Sequence, residues 1–226
     1  PHGIAAAPDG RFAVVARDGA GGAAILTGAF GPEGLRLDGR AEDPAFCRAN
    51  DLAFVGGALA ATLDRRDCGP SIRDLRPGAR TGRLVRIGPE GGWTTLRAGL
   101  AFANGVAAGP GGAAVAETRG ARVALADGRA IPTPGHPDNL TVSGDGALLA
   151  ALHPSPFRLW LALSGLPVRP GSRIVRIDLA SGATEILFDD PDGALFSAAT
   201  VAVPLGAGFA AGSAIDAGLL ICGEAA

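Results

Sequence analysis

The stretch NDLAFVGGALAAT, residues 50–62, carries the pattern on which the fold turns. A polar pair, Asn50-Asp51, leads into the apolar run from Leu52. Gly56-Gly57 then supplies a tight turn, and ALAAT (58–62) returns as a second apolar strand. A two-residue turn of this kind needs backbone angles that glycine adopts at no steric cost, so the stretch reads as a β-hairpin.

The same unit recurs on both sides of it. Upstream stand His2-Gly3-Ile4, then PDG, then FAVVA (12–16). Downstream come Asn104-Gly105-Val106 with PGG and AAVAE (113–117), and Asp138-Asn139-Leu140 with GDG and ALLAAL (147–152). A weaker copy joins Ala199-Thr200-Val201 to GAGFAAGS (206–213). Between the copies lie further strand candidates: AAILTG (23–28), RLVRIG (83–88), WTTLRAG (93–99), RVALADG (122–128), SRIVRIDL (172–179) and ATEILFDD (183–190). Helical periodicity is scarce. The copies recur at intervals of roughly 35 to 60 residues, which suits four-stranded propeller blades with insertions. The expected fold is therefore all-β: a six-bladed β-propeller with about five blades in this chain. Residues 1–226 form a single propeller domain, and one blade's worth of sequence is expected upstream of Pro1, in keeping with the absence of Met.

Composition agrees. A hydrophobic content of 47% against 19% charged residues supports a packed core, and 36 Gly with 17 Pro supply many turns. Every one of the 20 basic residues is Arg. A net charge of −2 argues against a general polyanion binder, because nucleic-acid affinity needs many neutralised phosphates. The five Arg between Arg73 and Arg86 read as a solvated loop. No apolar run is long enough to span a bilayer. The 3 Cys have no CxxC spacing, so Cys47 and Cys68 are expected to be buried free thiols, with Cys222 available to a partner outside the chain. Localisation stays open, with a periplasmic or secreted protein compatible with the sequence.

Two insertions interrupt the repeats. Residues 65–82 form a polar, Gly/Pro-containing loop. Residues 154–171 hold an apolar segment, Phe157 to Leu166. That segment reads either as a packed connector or as a flap over a pocket that touches lipophilic substrate or a membrane surface.

In a propeller each blade begins its innermost strand beside the central channel, so residues at one repeat position project toward one axis. Here that position carries Asn50, Asn104, Asp138 and Asn139. Amide and carboxylate oxygens of this kind suit a hard cation, and Ca²⁺ takes six to eight such ligands. Asp51 cannot point the same way as Asn50, because adjacent strand residues face opposite directions. It reads as a solvent-capped turn residue or as a ligand of a second calcium together with the Ile4 carbonyl.

The motifs PHGI (1–4), NDLAF (50–54), FANGV (102–106), PDNLTV (137–142), ALHP (151–154), SRIVRI (172–177) and GLLIC (218–222) run in the order found in the paraoxonase/arylesterase family, which this chain resembles. TGRLVRI (81–87), AET (116–118) and GHPDN (135–139) equally resemble strictosidine-synthase-like and gluconolactonase relatives. The resemblance implies a six-bladed calcium propeller that hydrolyses lactones or aryl and carboxylic esters. It implies a catalytic calcium on Asn50, Asn104, Asp138 and Asn139, and a second on Asp51 and the Ile4 carbonyl. His2 would be the general base, His153 a further pocket histidine and Asp64 a further acidic group. The family's paired histidine is missing near Arg17-Asp18, and its glutamate ligand would lie before Pro1. Glu117 reads as structural and His136 as a turn residue. A non-catalytic binding propeller and a strictosidine-synthase-like condensing enzyme are the alternatives.

Overall fold

The computed structural model describes residues 2–69, 76 and 78–223. Five antiparallel sheets follow one another along the chain in the blade arrangement of a β-propeller. The first blade contains β1 (Ile4–Ala6), β2 (Arg11–Arg17), β3 (Ala23–Gly31) and β4 (Gly34–Glu42). The second contains β5 (Ala49–Val55), β6 (Ala58–Leu63), β7 (Gly82–Ile87) and β8 (Trp93–Leu100). The third is built from β9 (Ala103–Gly109), β10 (Gly112–Glu117), β11 (Arg122–Ala124) and β12 (Ala130–Pro132). The fourth holds β13 (His136–Val142), β14 (Leu148–His153), β15 (Ser172–Ile177) and β16 (Thr184–Asp190). The fifth has three strands, β17 (Ala199–Leu205), β18 (Gly208–Ser213) and β19 (Leu219–Cys222). The described residues form five blades, the number expected in this chain. The chain forms two compact units, Pro1–Val115 and Ala116–Ala226, divided within β10.

Every repeat copy is the first hairpin of a blade, and the burial pattern explains why it was readable. The second strands β6, β10 and β14 are buried on both faces nearly throughout, so they read as unbroken Ala/Leu/Val runs. Outer strands lose that signature. β4, GLRLDGRAE, is exposed along most of its length, and its sequence alone gave no strand signal. In the first unit Val15, Ile25, Phe46, Leu52, Leu63 and Val85 form one core cluster. In the second, Leu149, Ile174, Phe196, Ala202 and Phe209 form another. The Ala residues threaded through both clusters let neighbouring sheets approach closely.

Three expectations are corrected. Cys47 and Cys68 are joined in a disulfide, with Cα atoms 5.7 Å apart, and are not free thiols. A short 3₁₀ helix, Pro44–Arg48, capped by the Asp43 carboxylate on the Ala45 N–H, turns Cys47 toward the loop after β6. The segment around Phe157 is not a packed connector. It contains α1, Pro156–Leu163, with Ser155 accepting the Arg158 N–H as N-cap. Phe157, Trp160 and Leu163 of α1 are 64%, 60% and 64% exposed. Of the Arg-rich stretch, Arg83 and Arg86 lie in β7 and not in a loop, while Arg73 falls outside the described residues. No helix among the described residues is long and apolar enough to cross a membrane.

Candidate active site at the strand bulges

The residues that open four of the five repeats occupy a β-bulge. In β5 the register with β6 passes from Ala49↔Leu63 to Leu52↔Ala61, so Asn50 and Asp51 occupy one extra step. In β13 it passes from Pro137↔Leu152 to Leu140↔Ala150, placing Asp138 and Asn139 in the same way. β17 repeats it between Ala199 and Val201. Before β1, the His2 N–H donates to the Val15 carbonyl while the Val15 N–H donates to the Gly3 carbonyl, each at 2.9 Å. Two residues thus stand opposite one. A bulge breaks strict alternation and re-aims side chains, so regular alternation no longer forces Asp51 away from Asn50.

Within the first unit the bulges interlock. A Cβ on Gly3 would lie 2.5 Å from both the Asn50 carbonyl oxygen and the Asp51 Cα, so the first bulge packs its bare backbone on the second. Asp51, 8% exposed, accepts the Val106 N–H through Oδ2 at 2.9 Å and thereby ties β5 to β9. Thr62 Oγ1 accepts the Asp51 N–H at 3.0 Å and donates to the Asn104 carbonyl. Thr62 was not singled out in the sequence, although a hydroxyl in the apolar run ALAATL was the available signal. Asn50 is half-buried, and Asn104 is buried. Ile4 pairs with Val14 and is 62% exposed. His2 is exposed.

Asp64 follows β6 and is 7% exposed. Arg65 Nε forms an ion pair with its Oδ1 at 3.5 Å. Burial pushes the Asp64 carboxyl above its ordinary value, and the charges of Arg65, Arg48 and Arg17 pull the other way. A separate cleft of 850 Å³ in this unit, lined by Phe12, Phe54, Arg86 and Trp93, contains none of the predicted site residues.

In the second unit, His153 Nε2 lies 3.0 Å from Asp138 Oδ2, and the histidine is 2% exposed. A carboxylate accepts, so Nε2 carries the proton of this bond. The buried Nδ1 of His153 has no hydrogen-bond partner among the described residues. Asn139 faces the Thr200 carbonyl at 2.9 Å, tying the fourth bulge to the fifth. A carbonyl can only accept, so the facing atom is Nδ2, and the Asn139 Oδ1 is turned away from this bond. His136 is not a turn residue. It opens β13 directly opposite His153, and its Nδ1 donates to the Thr118 carbonyl at 2.8 Å. Glu117 is fully buried and paired with Arg122, as its structural reading expected.

Among the described residues no three His, Cys, Asp or Glu gather as a metal cage. The predicted calcium donors are mostly amide oxygens, which such a cluster does not include. Asp138 and Asn139 each keep one side-chain oxygen outside the bonds just described, so their chemistry fits a hard, oxygen-preferring cation.

Taken together, these blades define a β-propeller with polar, bulged inner strands. No protein-family model matches the chain, and no curated protein matches it either. Solved structures share the fold. A luciferin-regenerating enzyme aligns at 21% identity and TM-score 0.54, over 92% of this chain and 67% of its own. A protein of unknown function from Bacteroides caccae aligns at 13% identity and TM-score 0.51, over 93% and 69%. A periplasmic gluconolactonase from Pseudomonas aeruginosa aligns at 13% identity and TM-score 0.49, over 93% and 77%. At such identities the two alignments with TM-scores above 0.5 support the fold and nothing finer.

Proposed function

We propose that the chain is a calcium-dependent hydrolase of lactones or of aryl and carboxylic esters. The observation that carries this reading is the Asp138–His153 pair: a buried imidazole oriented through Nε2, with a bare Nδ1. An imidazole held in one tautomer by a carboxylate is a competent general base. His153 Nδ1 takes a proton from the water that adds to the carbonyl carbon. It returns that proton to the alkoxide oxygen as the ester C–O bond breaks. Asp138 stabilises the imidazolium between the two steps.

The reading takes Asn50, Asn104, Asp138 and Asn139 as the calcium donors; Asp51 and the Ile4 carbonyl are the corresponding proposal for a second ion. When bound, calcium would supply Lewis-acid polarisation of the carbonyl oxygen. His2 and Asp64, the bases implied by resemblance, are to be tested beside His153. α1 begins three residues after His153, and its exposed Phe157 and Trp160 suit a lipophilic acyl chain. Peripheral membrane contact through 157–166 belongs to the same proposal and is checked by vesicle flotation.

The test is turnover of a panel of lactones and aryl esters with and without chelator. Chelator-sensitive hydrolysis, reduced on the order of 100-fold or more by His153→Gln, is expected. Hydrolysis that ignores both chelator and His153→Gln would remove the reading. A second reading, a non-catalytic binding propeller, is favoured by one observation. Asp51 and Asn139 are already occupied in holding neighbouring blades together. Calcium binding with no turnover of any panel member would select it.

A further inference from the structure

The segment that leaves β6, Arg65–Gly69, is fastened at its near end to the 3₁₀ helix Pro44–Arg48. One fastening is the Cys47–Cys68 disulfide, which spans 21 positions. The other is Arg48, next to Cys47, whose guanidinium donates to the carbonyls of Asp67, Cys68 and Gly69. Arg17 holds the helix from the opposite side, donating to the Cys47 and Ala49 carbonyls at 3.0 and 2.9 Å. Asp64 belongs to the same assembly, since its N–H donates to the Arg48 carbonyl at 2.9 Å.

The strand ladder of the blade does not run through this bond. Leu63 of β6 pairs directly with Arg83 of β7, so the ladder itself closes the connection between the two strands. β5, β6, β7 and β8 are joined by continuous pairing as well. The two cysteines differ in exposure: Cys47 is 6% exposed, whereas Cys68 is an exposed residue. A bond with one exposed cysteine, lying outside the ladder and fixing a short surface segment, is placed for thiol exchange.

We propose that Cys47–Cys68 is a thiol-exchange site at which a dithiol reductant releases Arg65–Gly69 as a local latch while the blades stay folded. A thiolate of the reductant attacks Cys68 Sγ, the S–S bond breaks, and Cys47 leaves as a thiolate that takes up a proton. The second thiol of the reductant then displaces Cys68 from the mixed disulfide. The reductant ends as a disulfide and the protein with two thiols. After release the segment keeps the Arg48 hydrogen bonds, which lie at the exposed surface, and surface hydrogen bonds open to water give little protection against local opening.

Trypsin cleavage after Arg65 and Arg66, quantified by mass spectrometry of the full chain, reads the latch. Arg66 is exposed but clamped between Asp64 and Cys68 in the oxidised protein. Treatment with a small dithiol is expected to raise cleavage there at least tenfold, roughly the gain expected when a tethered surface segment becomes free to open locally. Far-UV circular dichroism should stay unchanged. Cys47→Ser should show the fast rate without reductant and no further response to it. Equal cleavage in both redox states overturns the proposal. So does unfolding of the blades on reduction, which would make the bond a staple of the whole fold, or a dithiol response that persists in Cys47→Ser. The readout is chain cleavage, so the outcome is independent of whether the protein hydrolyses lactones.

Discussion

Replacing Asp51 separates two roles that its position allows. Its Oδ2 accepts the N–H of Val106, a residue 2% exposed, at 2.9 Å. Asp51→Ala deletes that acceptor and leaves a buried N–H unsatisfied. A hydrogen bond to a charged group contributes about 1.5–3 kcal/mol, and an orphaned buried donor costs a comparable amount, so the expected loss is about 2–3 kcal/mol. Asp51→Asn keeps an oxygen within reach but loses the charge, and should cost about 1 kcal/mol. For a chain of this size those values correspond to melting temperatures lowered by about 5–10 °C and about 3 °C. The assay is thermal unfolding followed by circular dichroism, in chelator and in millimolar calcium. A staple between β5 and β9 loses the same stability in both buffers. A loss confined to the calcium buffer would refute the staple and return Asp51 to the role of metal ligand.

Gly3→Ala should destabilise by about 1–3 kcal/mol, since the new Cβ meets backbone atoms of Asn50 and Asp51 at 2.5 Å; an unchanged melting temperature would contradict the packing of the first bulge on the second. For Asp64 the folded carboxyl titrates above its unfolded value of 3.8, so the folded state binds its proton more tightly. That contribution to stability is complete below pH 3.8 and is lost as pH rises through the folded pKa. Asp64→Asn, a permanent neutral mimic, should therefore melt higher than wild type at neutral pH, with the gap closing in acid. Asp138→Asn removes the carboxylate that orients His153 and should lower any lactone turnover about 100-fold. It also removes a full charge from the proposed calcium donors, and isothermal calorimetry should show calcium affinity weakened at least tenfold.

Several features resisted the linear sequence for identifiable reasons. The bulges are a property of register, and register exists only once two strands have paired. Alternation set Asp51 apart from Asn50 for that reason. His153 was visible as a polar residue ending an apolar strand, but Asp138 Oδ2 as its partner depends on the hairpin bringing positions 15 apart into contact. The exposed face of α1 was hidden because eight residues between prolines are too few to display a helical period convincingly.

By itself the sequence determined the hairpins, the number of blades present and the all-β class. Those follow from glycine turns and from apolar runs whose neighbours in space are also neighbours in the chain. The tertiary structure alone decided that Cys47 meets Cys68, that Asp51 and Asn139 tie one blade to the next, and that outer strands such as β4 complete the sheets. Each of these joins groups distant in sequence or depends on pairing to a strand already formed, and local residue preference carries no information about such contacts.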